Sequence, residues 1–150
     1  MAWVKVDGPP ATGTGPRVNG ALAGFRVVVV DDDADARDLL ATVLAQRSAE
    51  VFAASSAPEA FALLKQHRPN VLISDIAMPE EDGYTLIRRV RALAIEEGGR
   101  TPAVAVTAYA GRGDRSRALE AGFDAHYAKP IDIDKLMEHL FDLRSTSPPP

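Results

Sequence analysis

The residues of this chain best suited to chemistry are Asp31, Asp32, Asp75, Thr107 and Lys129, and each stands where an apolar run stops. Val27-Val28-Val29-Val30 runs into Asp31-Asp32-Asp33, and Val71-Leu72-Ile73-Ser74 runs into Asp75. Ala103-Val104-Ala105-Val106 leads to Thr107, and the short segment 125–128 leads to Lys129-Pro130. The inventory is an acid pair, a single acid, a hydroxyl and a cation. A carboxylate oxygen can attack an activated phosphorus and form an acyl phosphate. That reaction needs mainly positioning and neutralisation of the phosphoryl oxygens. Three carboxylates brought together repel one another and require a compensating charge. Mg²⁺ fits, because it takes one or two carboxylates, keeps several waters and completes its octahedron with phosphate oxygens. Lys129 adds a point charge, and the Thr107 hydroxyl can donate to a phosphoryl oxygen only when phosphate is present, which makes it a sensor. Each residue alone has a plainer explanation. Asp75 can form a turn, Asp31-Asp32 can cap a helix, Thr107 can finish a strand and Lys129 can be a surface cation. Asp33 reads as a helix-start residue rather than a ligand.

The chemistry requires elements that bring these residues to one edge, and the chain supplies them. Short apolar runs bounded by turn residues read as buried parallel strands: 26–30, 50–54, 71–75, 102–106 and 125–128. Between them lie stretches with helical spacing. Ala36, Leu39, Leu40, Val43 and Leu44 mark the first, and Ala60, Leu63 and Leu64 the second, with Pro58 in its first turn and Pro69 beyond its end. The third carries Leu86, Ile87, Val90 and Leu93 inward and Arg88, Arg89 and Arg91 on its wet side, and Gly98-Gly99 is expected to end it. A fourth is centred on 115–120 and closes at Gly122, and a fifth holds Leu136, Met137, Leu140 and Phe141. Five strand–helix units in alternation predict an α/β fold, a doubly wound parallel sheet with helices on both faces. In such a sheet the C-terminal strand ends share one edge, where ligands bind.

The flanks carry less information. Between Asp7 and Gly24 there are five glycines and three prolines, so 1–24 is expected to be a flexible linker, 25–144 the folded domain and 145–150 a disordered, non-helical tail. Gly13-Thr14-Gly15 does not continue as a phosphate loop, since Val18 stands where a dinucleotide fingerprint needs glycine. At 150 residues, 46% apolar and 25% charged, the chain has enough length for one real core. A net charge of −4 without a basic block argues against general nucleic-acid affinity. No apolar run is long enough for a membrane span and no signal-peptide core is evident, so no membrane contact and a cytoplasmic location are expected. The absence of cysteine excludes a disulfide framework, a zinc–thiolate site and a cysteine nucleophile.

At these residues the chain resembles the receiver domain of two-component response regulators. The likeness runs from about Phe25 to Leu143. It rests on Val-Val-Asp-Asp, Ser-Asp-Ile-Ala-Met-Pro-Glu-Glu-Asp-Gly, Val-Thr-Ala and Ala-Lys-Pro, in order and at compatible spacing. The resemblance implies a flavodoxin-like five-stranded sheet with strand order 2-1-3-4-5. It implies Asp75 as the phosphorylation site, Asp32 as a direct Mg²⁺ ligand, Asp31 acting through water, and Ala77 offering its backbone carbonyl to the metal. It also implies a histidine kinase or histidine phosphotransfer protein as phosphodonor, a downstream effector protein as a further partner, and at most slow self-phosphorylation and self-dephosphorylation rather than enzymatic turnover. His126 falls where receivers often carry an aromatic, with Tyr127 next, so the usual coupling of hydroxyl movement to an aromatic rotamer does not carry over. His126 reads as a half-exposed strand residue rather than a ligand. Ile131 replaces a frequent phenylalanine. Ala77 and Tyr109 occupy places that modulate water access to the acyl phosphate, and bulky Tyr109 is expected to slow hydrolysis. The Gly/Pro-rich lead-in is similar to the link before C-terminal receivers of hybrid histidine kinases, and no effector domain is expected after Leu143. A fragment of such a kinase and a single-domain regulator both fit.

Three other functions compete. A Mg²⁺-dependent phosphohydrolase of the haloacid-dehalogenase type would use Asp31 as nucleophile, but Asp35 departs from its motif and the chain is short for that fold. A degenerate receiver acting only as an interaction module is disfavoured by the intact acidic pair, acceptor, threonine and lysine. A flavin-binding protein of the same fold is disfavoured because the acidic first loop would repel the flavin phosphate.

Overall fold

The computed structural model describes residues 4–6, 21–108 and 112–146. Its five central strands are β2 (Arg26–Val30), β3 (Glu50–Ala54), β4 (Val71–Asp75), β5 (Ala103–Thr107) and β6 (Ala125–Ala128). All five are parallel, in the spatial order β3-β2-β4-β5-β6, which is the doubly wound order 2-1-3-4-5. The helices are α1 (Ala34–Gln46), α2 (Ala57–His67), α3 (Gly83–Arg91), α4 (Arg112–Ala121) and α5 (Ile133–Thr146). Among the described residues, no helix is long and apolar enough to cross a membrane.

Side-chain alternation along the strands builds a core on each face. Val28 and Val30 join Leu63, Leu64, Leu86, Ile87, Val90 and Ala118, beneath α2, α3 and α4. Val27 and Val29 join Leu40, Leu44, Leu136, Met137 and Leu140, beneath α1 and α5. All four valines are at most 1% exposed, and each such aliphatic side chain contributes about 1.5–3 kcal/mol on burial. This double burial explains why β2, β4 and β5 are unbroken apolar runs rather than alternating ones.

Polar side chains fix the helix starts. Asp33 caps α1 by accepting from Asp35 N at 3.0 Å, confirming it as a helix-start residue. Ser56 accepts from Glu59 N to cap α2, and Asp82 accepts from Thr85 N at 2.9 Å to cap α3.

Several expectations need correction. Val4–Val6 forms an additional strand, β1, antiparallel to β3 with Lys5 opposite Phe52, so the sheet has six strands. Leu22 is fully buried against the α1–α5 core, so the stretch expected as linker contributes to the fold at two places. α5 continues through Ser145 and Thr146, because the first proline that blocks a helix is Pro148. α3 ends at Arg91, and Gly98 instead closes a 3-10 turn over Ile95–Glu97 with φ of 107°. Leu39, read as inward, is 64% exposed, because Leu40, Ala41, Leu44 and Ala45 already fill the face of α1 that meets the sheet. Arg91 is half-buried rather than on the wet side. It donates to the carbonyls of Gly99, Thr101 and Gly122 and pairs with Asp124 at 3.1 Å. Gly13-Thr14-Gly15 and Tyr109 lie outside the described residues.

Candidate functional site

The strand ends meet as the alternation of elements requires. Asp31 follows β2, Asp75 ends β4, Thr107 ends β5, and Lys129 follows β6. Asp31 and Asp75 are each 7% exposed and Thr107 only 3%. Asp32, one residue beyond Asp31, is exposed. One carboxylate oxygen from each of Asp31, Asp32 and Asp75 can be chosen so that all three lie within 4.8 Å of one another.

Each side chain is held by its local backbone. Asp75 Oδ1 accepts from Ile76 N at 2.8 Å, and the buried Ser74 hydroxyl donates to the Asp75 carbonyl at 2.7 Å. Asp31 Oδ1 accepts from Asp33 N at 2.9 Å, and Arg37 donates to the Asp31 carbonyl at 2.8 Å. Lys129 N donates to the Thr107 carbonyl at 2.8 Å, which ties the lysine backbone to the end of β5. The Lys129–Pro130 peptide is cis. From there Lys129 Nζ lies 2.9 Å from Asp31 Oδ2 and 3.4 Å from Asp75 Oδ2.

The electrostatics follow from this crowding. Burial pushes the Asp75 carboxyl up from 3.8 to about 6, the Asp31 charge adds to the rise, and Lys129 opposes it. For Lys129, burial alone would lower the ammonium. The hydrogen bond and charge of Asp31, reinforced by Asp75, outweigh it and hold the lysine above its ordinary 10.5. One lysine therefore only partly compensates three carboxylates. All three groups offer hard oxygen donors, and exposed Asp32 leaves the cluster open to solvent, so the donor set fits a hard divalent cation.

Two supports were not legible as functional in the sequence. Gly83 N donates to the Ile76 carbonyl at 2.8 Å, and a Cβ at Gly83 would stand 2.5 Å from the Asp75 carbonyl oxygen. Only glycine lets the first turn of α3 approach the backbone at the site this closely. Leu39 is the second. With Ala36, Pro130, Ile131 and Ile133 it walls a cleft of about 250 Å³ whose polar side is Asp31, Asp75 and Lys129. Ala77 is exposed in the loop after β4, and Met78 behind it is buried. His126 is half-buried in β6, as expected of a strand residue.

The model of the response regulator receiver domain matches residues 27–141, most of the chain and all of the strand ends just described. The chain belongs to the response-regulator receiver family. The "Uncharacterized 14.6 kDa protein in sodA1 3'region" of Leptolyngbya boryana is 49% identical over 111 residues, covering 74% of this chain and 83% of that protein. The virulence transcriptional regulatory protein PhoP of Salmonella typhimurium is 36% identical over 77% of this chain, but the match spans only 50% of PhoP. The receiver domain of the Arabidopsis thaliana histidine kinase CKI1, solved in complex with Mg²⁺ and BeF3⁻, is 25% identical with a TM-score of 0.74, covering 97% of this chain and all of that one. The proteins it is similar to thus include a transcriptional regulator and the receiver of a histidine kinase. This receiver is a signalling phosphoacceptor domain of two-component systems rather than a classical enzyme. That assignment removes the haloacid-dehalogenase and flavin-binding alternatives.

Proposed function

We propose that Asp75 of this receiver takes a phosphoryl group from a phosphohistidine partner, a histidine kinase or a histidine phosphotransfer protein, in the presence of Mg²⁺. The observation that carries this reading is that Asp75 belongs both to an ion pair and to an acidic cluster. Lys129 lies 3.4 Å from Asp75 and 2.9 Å from Asp31, and Asp75 with Asp31 and Asp32 forms a cluster able to take a cation.

Asp31, Asp32, Asp75 and the Ala77 carbonyl would hold the ion, which when bound neutralises phosphoryl oxygens and the carboxylates themselves. This chain's residues supply the rest. An Asp75 oxygen forms the new bond to phosphorus while the phosphorus–nitrogen bond to the donor imidazole breaks, and the imidazole keeps that electron pair. Lys129, already paired with Asp75, neutralises charge that builds on the transferred group. Its ammonium needs little reorganisation, because the Thr107 carbonyl already anchors its backbone. The Thr107 hydroxyl senses the product by donating to a phosphoryl oxygen. Water then hydrolyses the acyl phosphate slowly, with Tyr109 restricting its access. The modified face is read by an effector protein.

Addition of a beryllofluoride salt with Mg²⁺ to the isotope-labelled protein tests this arrangement. The amides of 75–78, 107–108 and 128–129 are expected to shift together, and chelation of Mg²⁺ is expected to reverse the change. Shifts confined to other parts of the chain, or shifts equally large in Asp75→Asn, contradict it.

A further inference from the structure

His126 and Tyr127 lie on opposite faces of β6. Tyr127 aligns with Val106 and faces the α1–α5 layer, where its hydroxyl lies 3.0 Å from His139 Nδ1. His126 aligns with Ala105 and faces the other layer, beneath α4. There its Nε2 is buried and, among the described residues, has no hydrogen-bond partner. α4 itself is lightly anchored. Among its described side chains only Ala118 is buried, and Leu119 is 42% exposed. A further tie to the layer is the Arg117 guanidinium, stacked 4.3 Å above the Tyr84 ring of α3.

A neutral imidazole with its proton on Nδ1 leaves only a bare acceptor at Nε2. The imidazolium would place an N–H, and part of a positive charge, at the same dry point with nothing to accept it. We infer that protonation of His126 loosens α4 from the sheet, so that the face formed by α4 and β6 is presented differently in acidic and in neutral conditions. This goes beyond phosphate transfer and does not depend on it.

The surroundings favour such a device. α4 brings Asp114, which favours the imidazolium, and Arg115, which opposes it. β5, the other element packed along β6, presents Val104, Ala105 and Val106. At the head of β6, Asp124 is already engaged by Arg91 and by Ala103 N. Burial therefore dominates and draws the imidazole below its ordinary 6.5. His126 is therefore neutral near pH 7 and takes its proton only below its ordinary range.

Backbone hydrogen exchange of the full chain tests the inference, measured at about pH 7.5 and about pH 5.5 and corrected for the intrinsic pH dependence of exchange. Asp75→Asn serves as the background, which removes the raised Asp75 carboxyl and any contribution from phosphate. Acidification is expected to reduce protection of 113–121 severalfold more than that of 34–46, with the same midpoint as the His126 imidazole resonances. Adding His126→Phe is expected to abolish the excess. An excess that persists in His126→Phe, no excess in the background protein, or an imidazole midpoint at or above 6.5 each overturns it. If His126→Phe does not fold, the two midpoints in the background protein decide the matter alone.

Discussion

Lys129 Nζ lies 3.4 Å from Asp75 Oδ2, although the strands that carry the two residues are separated by β5. The lysine reaches across a strand end to do this, and the same ammonium holds Asp31 at 2.9 Å. It is therefore a counter-ion shared by two buried carboxylates before any phosphate arrives.

Removing that counter-ion exposes the conflict it relieves. In Lys129→Met the Asp75 carboxyl is expected to titrate above its present value of about 6, since burial and Asp31 would be opposed by the Ile76 N–H alone. Carbon-13 NMR of the Asp75 carboxyl checks this, and acetyl phosphate labelling is expected to slow at least about tenfold, roughly the effect of one lost charge-assisted contact.

The raised Asp75 carboxyl also sets a pH dependence of stability. Between 3.8 and about 6 the folded protein holds a proton on Asp75 that the unfolded chain has released. Its contribution is therefore fully present below 3.8 and is lost as pH rises through about 6. In the absence of divalent cation, denaturant titrations are expected to show stability falling across this window. Asp75→Asn is expected to lack that fall and to be more stable at neutral pH by on the order of 1–3 kcal/mol. Added Mg²⁺ is expected to narrow the difference.

Gly83→Ala is expected to destabilise by about 2–3 kcal/mol despite the better helix propensity of alanine. The new Cβ would meet the Asp75 carbonyl oxygen at 2.5 Å and Ile76 Cα at 2.9 Å, both backbone atoms that cannot rotate away. Urea unfolding measures the loss. The same substitution is expected to slow labelling at Asp75, because α3 can relieve the clash only by displacing the site backbone.

Arg91→Ala separates fold from site. Arg91 ties three carbonyls and Asp124 together at the opposite end of the sheet from Asp75. Leaving those half-buried carbonyls without a donor is expected to cost about 2–3 kcal/mol. Acetyl phosphate labelling of the folded fraction is expected to be unchanged.

The strand ends were legible because burial on both faces produces unbroken apolar runs, and an acid or threonine terminating such a run stands out. Asp31, Asp75 and Thr107 follow from that pattern and Lys129 from the Lys-Pro that ends a brief, half-exposed strand, and the structure brings all four to one edge. β1 was not legible. Three residues near a Gly/Pro-rich tract have no periodicity, and their pairing to β3 depends on a distant edge. Leu39 was misplaced because helical spacing marks a broad stripe, whereas the sheet accepts only the narrower face of Leu40, Ala41 and Leu44. Arg91 read as one of several surface arginines, since its partners Gly122 and Asp124 lie some thirty residues away in sequence. Gly83 stands in the Glu-Glu-Asp-Gly stretch of the sequence, but its close approach to the Asp75 backbone is a tertiary fact.

Phosphate on one particular carboxylate oxygen, that of Asp75, is what distinguishes this mechanism. Incubation with acetyl phosphate and Mg²⁺, followed by intact mass and peptide mapping, measures this directly. One phosphoryl group per chain is expected, located at Asp75, labile to alkali, dependent on Mg²⁺ and absent from Asp75→Asn. A phosphoryl group of the same stoichiometry in Asp75→Asn, or one mapped to Asp31 or Asp32 in the parent protein, would contradict it.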